Sequence, residues 1–409
     1  MSIRILFSTL RRHSLMPSLV LLQVALACAI LCNVLFLAWQ QLEPMLAPSG
    51  VDTSNLILVD QLYASTGQWT TAEVQAGTQA LREVPGVRAV SAANSLPMVF
   101  GVTYAFGMQG PTRIKVGANV YAGEGLVNTL GISLVAGRDF QPDEYRGMGG
   151  YKGVPVPVII TQALARKLFG KADALGQRVA DVDEPAGAGY QVVGIVRHLL
   201  RNQLDMATQG RADDTALMPQ RVGNTSMPPS FAVRVDPAMR EVALRGVRNA
   251  IQRQFGTRLP TGTSARASFY DTRSSDAFKS RRAALWLFVG MALTVVIVTV
   301  IGIMGLTGFW VQKRTRQIGI RRALGARRSD ILRYFLAENA LIVGIGVMLG
   351  MALAYFGNAW LMRYYELSRL PWAWLPLGAA MMLLLGQLAV LSPALRAAAV
   401  PPVVATRSA

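Results

Sequence analysis

Apolar residues in this chain are concentrated in four long runs, and the segments between the runs are of mixed polarity. The runs cover residues 19–39, 283–310, 331–356 and 372–391. A helix needs about 20 mostly apolar residues to cross the hydrocarbon core of a bilayer. The pattern therefore predicts four transmembrane α-helices, with a large domain over residues 40–282 inserted between the first and the second.

The first run raises the question of a cleaved leader, and Ala25-Leu26-Ala27-Cys28 faintly resembles a lipoprotein cleavage site. However, the run is longer than the apolar region of a typical signal peptide, which has about 7–15 residues. We expect an uncleaved signal anchor.

Basic residues predict how the chain is oriented in the membrane. Arg4, Arg11 and Arg12 precede the first run, and seven basic residues lie between the second and third: Lys313, Arg314, Arg316, Arg321, Arg322, Arg327 and Arg328. Loops rich in Lys and Arg stay in the cytoplasm. We expect residues 1–18, 311–330 and 392–409 in the cytoplasm, and residues 40–282 and the short loop 357–371 outside. Lys279, Arg281 and Arg282 then fall on the outer side, where a helical stalk would keep them in water.

The large inserted segment mixes short apolar stretches with amphipathic ones, and Gly and Pro separate them. We predict helices at 71–83 and 162–169, the second capped by Thr161 and ended by Gly170. Predicted strands are 55–60, 155–160, 190–196 and 231–235, with a turn into a strand at 85–90. The fold class is therefore a membrane protein with an α+β extracytoplasmic domain, which we expect to contain two subdomains.

The composition and the distribution of charge argue against a nucleic-acid-binding function. The chain is 52% hydrophobic and 16% charged, with a formal net charge of +18. Residues 40–283 carry 26 basic and 20 acidic residues, and the rest of the chain carries 15 and 3. Most of the excess of basic residues flanks the apolar runs. The orientation of the chain in the membrane and contact with anionic lipid explain this excess, and we expect no nucleic-acid partner.

Residues for catalysis or metal binding are scarce. Cys28 and Cys32 lie in the first run, so no disulfide framework supports the outer domain, and His13 and His198 are too far apart in sequence to predict a zinc site. No Walker A motif occurs in the 409 residues. We interpret the acidic residues Asp181, Asp183 and Glu184 as a solvated loop. We expect no enzyme activity, cofactor or metal in this chain.

Small and acidic residues inside the runs carry further information. Gly346 and Gly350 form a G-x-x-x-G pair, and Gly302 and Gly305 lie in the middle of the second run. Small residues let helices approach closely in lipid, either within this chain or between two chains. Glu338 is the acid nearest to the middle of a run, so the sequence argues against proton coupling.

Residues 313–324 between the second and third runs predict a short basic helix. Gly325 would end it in a left-handed cap, and Ser329 would cap the next helix with Asp330 beside it. A polybasic loop on anionic lipid is the alternative, but Gly and Ala between arginines suit close docking on a protein.

These residues resemble the E-I-G-I-R-[RK]-A-[LI]-G-A signature of FtsX-like permeases, the MacB-type group of ABC transporters, and depart from it at Gln317. Residues 392–402 resemble the closing S-P-A-x-R-A-x-x-[IV]-x-P phrase of that family. The outer domain is similar to the MacB-like periplasmic core domain, at residues 130–140, 163–170, 175–177 and 192–196.

The resemblance implies that the segment docks on an ABC ATPase subunit, which uses the ATP. The residues that match this segment are Arg314, Arg316, Gln317, Gly319, Arg321, Arg322, Ala323, Gly325 and Ala326, and Gly319, Arg321, Ala323 and Gly325 are the expected contacts. The resemblance also implies a second permease, which would form a homodimer or a heterodimer with this chain in the cell inner membrane. It leaves open whether a periplasmic adaptor protein takes part.

The function implied first is export or efflux by mechanotransmission, in which ATP hydrolysis below the membrane moves the domains outside it. Two alternatives stay open. One is a non-transporting mechanical regulator of an envelope hydrolase or a sensor of antimicrobial peptides, and the other is a lipoprotein-extracting permease.

Overall fold

The computed structural model describes residues 15–147, 149–151, 153–184, 187–260, 262, 265–365 and 369–399. The basic residues Arg4, Arg11 and Arg12 lie outside these ranges. The chain divides into two compact units, one made of Met1–Leu42 and Arg281–Ala409 and the other of Glu43–Ser280.

The helices and strands of the described chain alternate in the second unit, and the long helices lie mostly in the first. The α-helices are α1 (Leu15–Leu46), α2 (Thr71–Arg82), α3 (Leu126–Leu130), α4 (Gln162–Phe169), α5 (Arg240–Phe255), α6 (Tyr270–Ala277), α7 (Lys279–Ala323), α8 (Arg328–Tyr365) and α9 (Trp374–Ala399). The strands are β1 (Leu56–Val59), β2 (Val87–Ala93), β3 (Tyr104–Gln109), β4 (Lys115–Gly123), β5 (Leu134–Gly137), β6 (Val156–Thr161), β7 (Arg178–Asp181), β8 (Tyr190–Val196), β9 (Thr215–Pro219), β10 (Ser230–Val235) and β11 (Ala267–Phe269).

Among the described residues, four helices are long and apolar enough to cross a membrane, and each overlaps one of the four predicted runs; the fourth begins at Trp374, two residues after the start of its run. The candidate spans are Pro17–Leu46, Tyr270–Thr315, Arg328–Arg363 and Trp374–Arg396. They confirm four transmembrane helices, with the large domain inserted between the first two.

The helices continue beyond the apolar runs that predicted them. α8 runs to Tyr365, into the segment expected as the loop 357–371, and α9 runs to Ala399, into the expected tail. A helix satisfies its backbone hydrogen bonds internally, so it need not end where the side chains become polar. The hydropathy of the sequence therefore predicts which part of a helix lies in the hydrocarbon core of the bilayer, but it does not predict where the helix begins or ends.

In the unit made of Met1–Leu42 and Arg281–Ala409, which we call the membrane unit, helix α8 packs closely against α1. Val24, Cys28 and Cys32 of α1 are buried. A Cβ at Gly350 of α8 would lie 2.7 Å from both the carbonyl oxygen of Ala25 and Cβ of Cys28. The same helix approaches Val24 at Gly346. The G-x-x-x-G pair therefore serves packing within this chain.

The two predicted packing glycines of α7 differ from each other. Gly302 faces the side chain of Gln23, whose Nε2 donates a hydrogen bond to the carbonyl oxygen of Val298 at 3.2 Å. A Cβ at Gly305 would meet no atom within 4 Å. The packing role predicted for Gly305 is therefore not seen among the contacts of the described residues.

One part of the inserted domain is a four-stranded antiparallel sheet in the order β11-β1-β10-β2. Helices α2 and α5 cover one face, where Leu81, Val247 and Phe255 belong to one buried cluster. The order of strands and helices is that of a split βαβ, ferredoxin-like arrangement.

The other part is a closed barrel, and it is inserted in the chain between β2 and β10. The path β4-β3-β7-β8-β6-β9 returns to its start because β9 pairs in parallel with β4. A single pair of residues, Ala93 and Gly123, links the barrel to the first sheet. The two expected subdomains correspond to these two parts of one compact unit.

The helix and the strand that the sequence pattern predicted most clearly in the inserted domain are confirmed. Strand β8 and helix α4 have the predicted bounds, and the Leu164 amide donates to Thr161 Oγ1 at 3.3 Å as the predicted cap. Gly170 ends α4 with φ +67°. Strands such as β3 and β7 were not predicted, because short barrel strands with polar residues on one face lack a continuous apolar run.

We expect Gly350→Ala to destabilise the protein, because the added methyl group has no room against Ala25 and Cys28. Overpacking of this kind costs about 1–3 kcal/mol. Thermal unfolding of the detergent-solubilised protein would measure the loss.

Gly344→Ala is the matched control on the same helix, because a Cβ there meets no atom within 4 Å. Equal stability of the two variants would contradict the close approach of α8 to α1.

Candidate coupling site

The turn between α7 and α8 is short and has a defined backbone. Helix α7 ends at Ala323, and Gly325 follows with φ +99°, which favours glycine. Asp330 Oδ2 then accepts a hydrogen bond from the Arg327 amide at 3.0 Å. The turn reverses the chain within a few residues.

One detail of this turn corrects the sequence analysis. Helix α8 begins at Arg328, so Ser329 lies inside its first turn and is not the N-cap. The carboxylate of Asp330 instead reaches back to the amide before the helix, which is the reciprocal half of a capping box.

A buried ion pair joins α7 to α8 near the turn that connects them. Arg314 Nη1 lies 3.1 Å from Glu338 Oε1 and 3.3 Å from Oε2. The two side chains are only 12% and 4% exposed. The guanidinium carbon of Arg314 also lies 4.6 Å from the ring centroid of Trp310. The arrangement gives a buried acid a charged partner and gives the cation an aromatic face.

The ion pair assigns Arg314 a role that the sequence analysis did not predict. Arg314 belongs to the segment expected to dock on an ATPase, but its side chain is turned inward and is held by Glu338. A signal was present in the sequence, because the two residues lie at similar distances from Gly325 on consecutive helices. Residues so placed in a helical hairpin lie at the same level, and an acid in an apolar run requires a partner.

Two exposed apolar side chains near the turn were also missed. Leu324 is 82% exposed and Ile320 is 48% exposed, whereas Ile318 is 5% exposed. Ile320 and Leu324 are four residues apart, so they lie on the same side of the chain. We call these two residues the apolar tip. Exposed apolar side chains at a turn are candidates for burial against a partner.

The structure describes only part of the predicted coupling segment. The backbone from Arg316 to Ala323 is helical, but the side chains at Arg316, Gln317, Gly319, Arg321, Arg322 and Ala323 lie outside the described part of the structure. Gly325 is exposed and Ala326 is half-buried.

In the inserted domain, the acidic residues flagged by the sequence organise a loop. Asp181 Oδ1 accepts the Asp183 amide at 2.9 Å, and its Oδ2 accepts the Tyr190 hydroxyl at 2.6 Å. The described part of the chain contains no group of three His, Cys, Asp or Glu side chains placed to hold a metal ion.

Comparison with known protein families gives two matches. The FtsX-like permease C-terminal model matches residues 289–402, and the MacB-like periplasmic core domain model matches residues 20–254. The second match covers more than half of the chain. The two matches confirm the resemblance stated from the sequence.

Individual relatives cover smaller parts. The macrolide export ATP-binding/permease protein MacB of Neisseria meningitidis is 29% identical over 251 residues, which are 58% of this chain and 35% of the relative. The pyoverdine export ATP-binding/permease protein PvdT of Pseudomonas aeruginosa is 30% identical over 198 residues, 48% of this chain and 29% of the relative. The chain thus spans about a third of the length of these relatives.

Two solved structures are similar to the inserted domain. The periplasmic region of MacB from Actinobacillus actinomycetemcomitans aligns with a TM-score of 0.37 at 13% identity, over 56% of this chain and 94% of that one. The extracellular domain of the Gram-positive transporter YknZ aligns with a TM-score of 0.35 at 14% identity, over 52% of this chain and 100% of that one. The family assignment rests on the sequence matches: with the MacB-like core domain model over residues 20–254 and the FtsX-like model over 289–402, this multi-pass membrane protein belongs to the MacB-type, FtsX-like family of ABC transporter permeases.

Proposed function

We propose that this chain is the permease subunit of an ABC exporter, in which a separate ATPase docks on the α7–α8 turn and moves the inserted domain. The observation that carries the proposal is the apolar tip, Ile320 and Leu324, exposed on a hairpin that a buried ion pair holds together. In this proposal the turn is cytoplasmic and the inserted domain is periplasmic, as the basic residues predict.

The docking surface combines apolar contact with positive charge. An exposed leucine loses unfavourable hydration when it enters an apolar groove on a partner. The basic residues around it would steer a partner with an acidic rim and fix its orientation. Gly319, Arg321, Ala323 and Gly325 remain the predicted contacts.

Helix α7 supplies a stiff connection from the turn. It has 45 residues, so it is about 68 Å long at the helical rise per residue. The hydrocarbon core of a bilayer is only about 30 Å thick. Helix α7 therefore continues past the membrane, and its first two residues, Lys279 and Ser280, belong to the compact unit of the inserted domain.

The ion pair between Arg314 and Glu338 would make α7 and α8 respond together. A displacement of the turn by a closing ATPase dimer would pass into both helices, because separating them leaves a charge without a partner in a low-dielectric setting. Mechanotransmission of this kind needs no polar channel through the membrane helices.

The relatives support export over the regulatory and lipoprotein-extracting alternatives, because their names give macrolide export and pyoverdine export. Those relatives are ATP-binding/permease proteins, whereas the 409 residues here contain no Walker A motif. We propose that the ATPase that docks on the α7–α8 turn is a separate subunit, and that two permeases act together.

We expect Glu338→Gln to lower the free energy of unfolding by about 3 kcal/mol, because it leaves the buried Arg314 guanidinium without its charge partner. Thermal unfolding of the purified protein would measure the loss. The double variant Arg314→Gln with Glu338→Gln should recover most of that stability, because no unpaired charge remains.

The double variant also separates structure from coupling. If the ion pair transmits force, the double variant should be stable and yet show less ATPase stimulation than the wild type in a reconstituted complex. Full stimulation in that variant would remove the ion pair from the mechanism.

We expect Gly325→Val to abolish stimulated ATPase activity and to leave membrane insertion intact. Valine strongly disfavours a positive φ, so the turn must change its path and displace the apolar tip. Gly325→Asn is the control, because asparagine tolerates positive φ better and should retain more activity. Normal activity in the valine variant would refute docking at this turn.

A pull-down from the native membrane tests the partner itself. The wild type should recover an ABC ATPase, and Arg321→Glu should not, because the change reverses a charge at a predicted contact. Recovery of the same ATPase by both proteins would place the contact elsewhere. Recovery by neither would contradict a stable permease–ATPase complex.

A further inference from the structure

A groove of about 840 Å³ runs along the outer edge of β2 in the inserted domain. Five consecutive residues of β2, from Arg88 to Ala92, line this groove, which we call the β2 groove. Successive side chains of a strand point to opposite faces of its sheet, so consecutive residues line one groove only where the groove follows the edge of the strand. Helix α2 forms one wall, and α3 and Tyr145 form the other. The β2 groove therefore presents the edge of a strand between two walls.

The outer edge of β2 has almost no partner strand. On its inner side β2 pairs with β10 along its length, but on its outer side only Ala93 pairs, with Gly123 of β4. The Glu124 amide donates to the carbonyl oxygen of Ala92 at 3.2 Å, so the backbone groups of Ala92 point to the outer side. Backbone groups alternate in direction along an antiparallel strand. Those of Val90 therefore also point outward, into the groove.

The outward backbone groups of Val90 are enclosed by the walls of the groove. Val90 is only 5% exposed, and its side chain packs in the buried cluster of α2 and α5. Buried backbone N–H and C=O groups are nearly always hydrogen-bonded, but no strand of the described chain pairs with Val90 on this side. An extended peptide supplies a donor and an acceptor at the spacing that such an edge requires.

The charged side chains that line the groove indicate what the peptide carries. They are Arg82, Arg88, Arg221 and Glu124. Arg88 pairs with Asp236 at 2.6 Å. Arg82 and Arg221 are exposed, and neither forms an ion pair with a described residue. Burial raises the pKa of the Glu124 carboxyl, and the nearby charges of Arg221 and Arg82 offset this only in part.

The wall that contains Tyr145 is acidic by comparison. Burial raises the pKa of the Tyr145 hydroxyl, and the nearby charges of Asp139, Glu124 and Glu144 add to the rise. Arg138 pairs with Glu144 at 2.6 Å, which compensates one of these acids. The uncompensated positive charge of the groove is therefore concentrated at its two unpaired arginines.

We propose that the β2 groove binds an extended peptide segment with acidic side chains, which adds a strand to the edge of β2. The peptide backbone would pair with the N–H and C=O groups of Val90 and with the amide of Ala92. Its acidic side chains would reach Arg82 and Arg221, whose charge orients the segment. Side chains on its other face would lie against α3.

The groove is made by the inserted domain alone, so the inference goes beyond the proposed coupling function and does not depend on it. The test needs neither nucleotide nor ATPase. Its failure would leave the coupling proposal standing, and failure of ATPase docking would leave this site standing.

The probe is an acetylated and amidated heptapeptide, Thr-Glu-Thr-Val-Thr-Glu-Thr, with a fluorescent label. One control peptide has Lys in place of both Glu, and another has the same charge as the probe but carries N-methyl groups on its central amides. Fluorescence anisotropy with the whole protein in an uncharged detergent should show the probe binding about tenfold more tightly than either control. No binding of the probe, or equal binding of either control, would overturn the proposal.

Amide hydrogen exchange at single-residue resolution tests the edge itself. In the free protein the Val90 amide should exchange faster than the Ser91 amide, which points to β10. Saturation with the probe should slow exchange at Val90 about tenfold and leave Ser91 unchanged. Equal protection of both amides in the free protein would show that the edge is already covered. Protection of Val90 that rises with protein concentration alone would make a second copy the occupant, and either result would overturn the proposal.

Charge-reversal variants locate the binding. Arg82 and Arg221 are exposed, so Arg82→Glu and Arg221→Glu should fold normally, and each should weaken the acidic probe about tenfold and strengthen the Lys peptide. Arg253→Glu is the matched control, because Arg253 is exposed on α5 outside the groove, and it should leave both affinities unchanged. Equal weakening by Arg253→Glu, or full affinity for the probe in both groove variants, would overturn the assignment.

Discussion

The hydrocarbon interior of a membrane supplies no hydrogen-bond partners, and the architecture of the membrane unit follows from this constraint. Four helices satisfy their own backbone groups, and they gain stability from close packing because burial away from lipid tails brings little hydrophobic gain. Gly346 and Gly350 let α8 approach the backbone of α1. The same constraint explains why Glu338 lies against Arg314.

The ion pair between Arg314 and Glu338 connects the packing of α7 and α8 with the proposed docking function of the turn between them. Arg314 belongs to the basic segment that resembles the coupling helix of the family, but its side chain stabilises the hairpin from within. The exposed side chains of the apolar tip, Ile320 and Leu324, are then the part of the proposed docking surface that the structure describes.

The inserted domain combines a ferredoxin-like sheet and a closed barrel within one compact unit. The pairing of β9 with β4 returns the path of six strands to its start, which reduces the pairing hazard of an open sheet. Closure also brings β3, β7, β8 and the end of β9 around one cavity. Residues that are far apart in sequence, such as Phe106 and Gln220, therefore line the same space.

The sequence by itself determined the features that depend on local pattern. Four apolar runs fixed the membrane helices, Thr161 and Gly170 fixed the ends of α4, and Gly325 marked the turn, because each signal lies within a few residues of the structure it specifies. The ends of α8 and α9 escaped prediction, because polar residues continue a helix as well as apolar ones do. Only the tertiary structure decided that Arg314 pairs with Glu338, that Gly305 lacks the intrachain contact of Gly350, and that the barrel closes through β4 and β9. Each of these depends on residues that are distant in the chain and come together only when helices or strands pack. The spacing of Arg314 and Glu338 about Gly325 permits their pairing, but only the packing of the two helices establishes it.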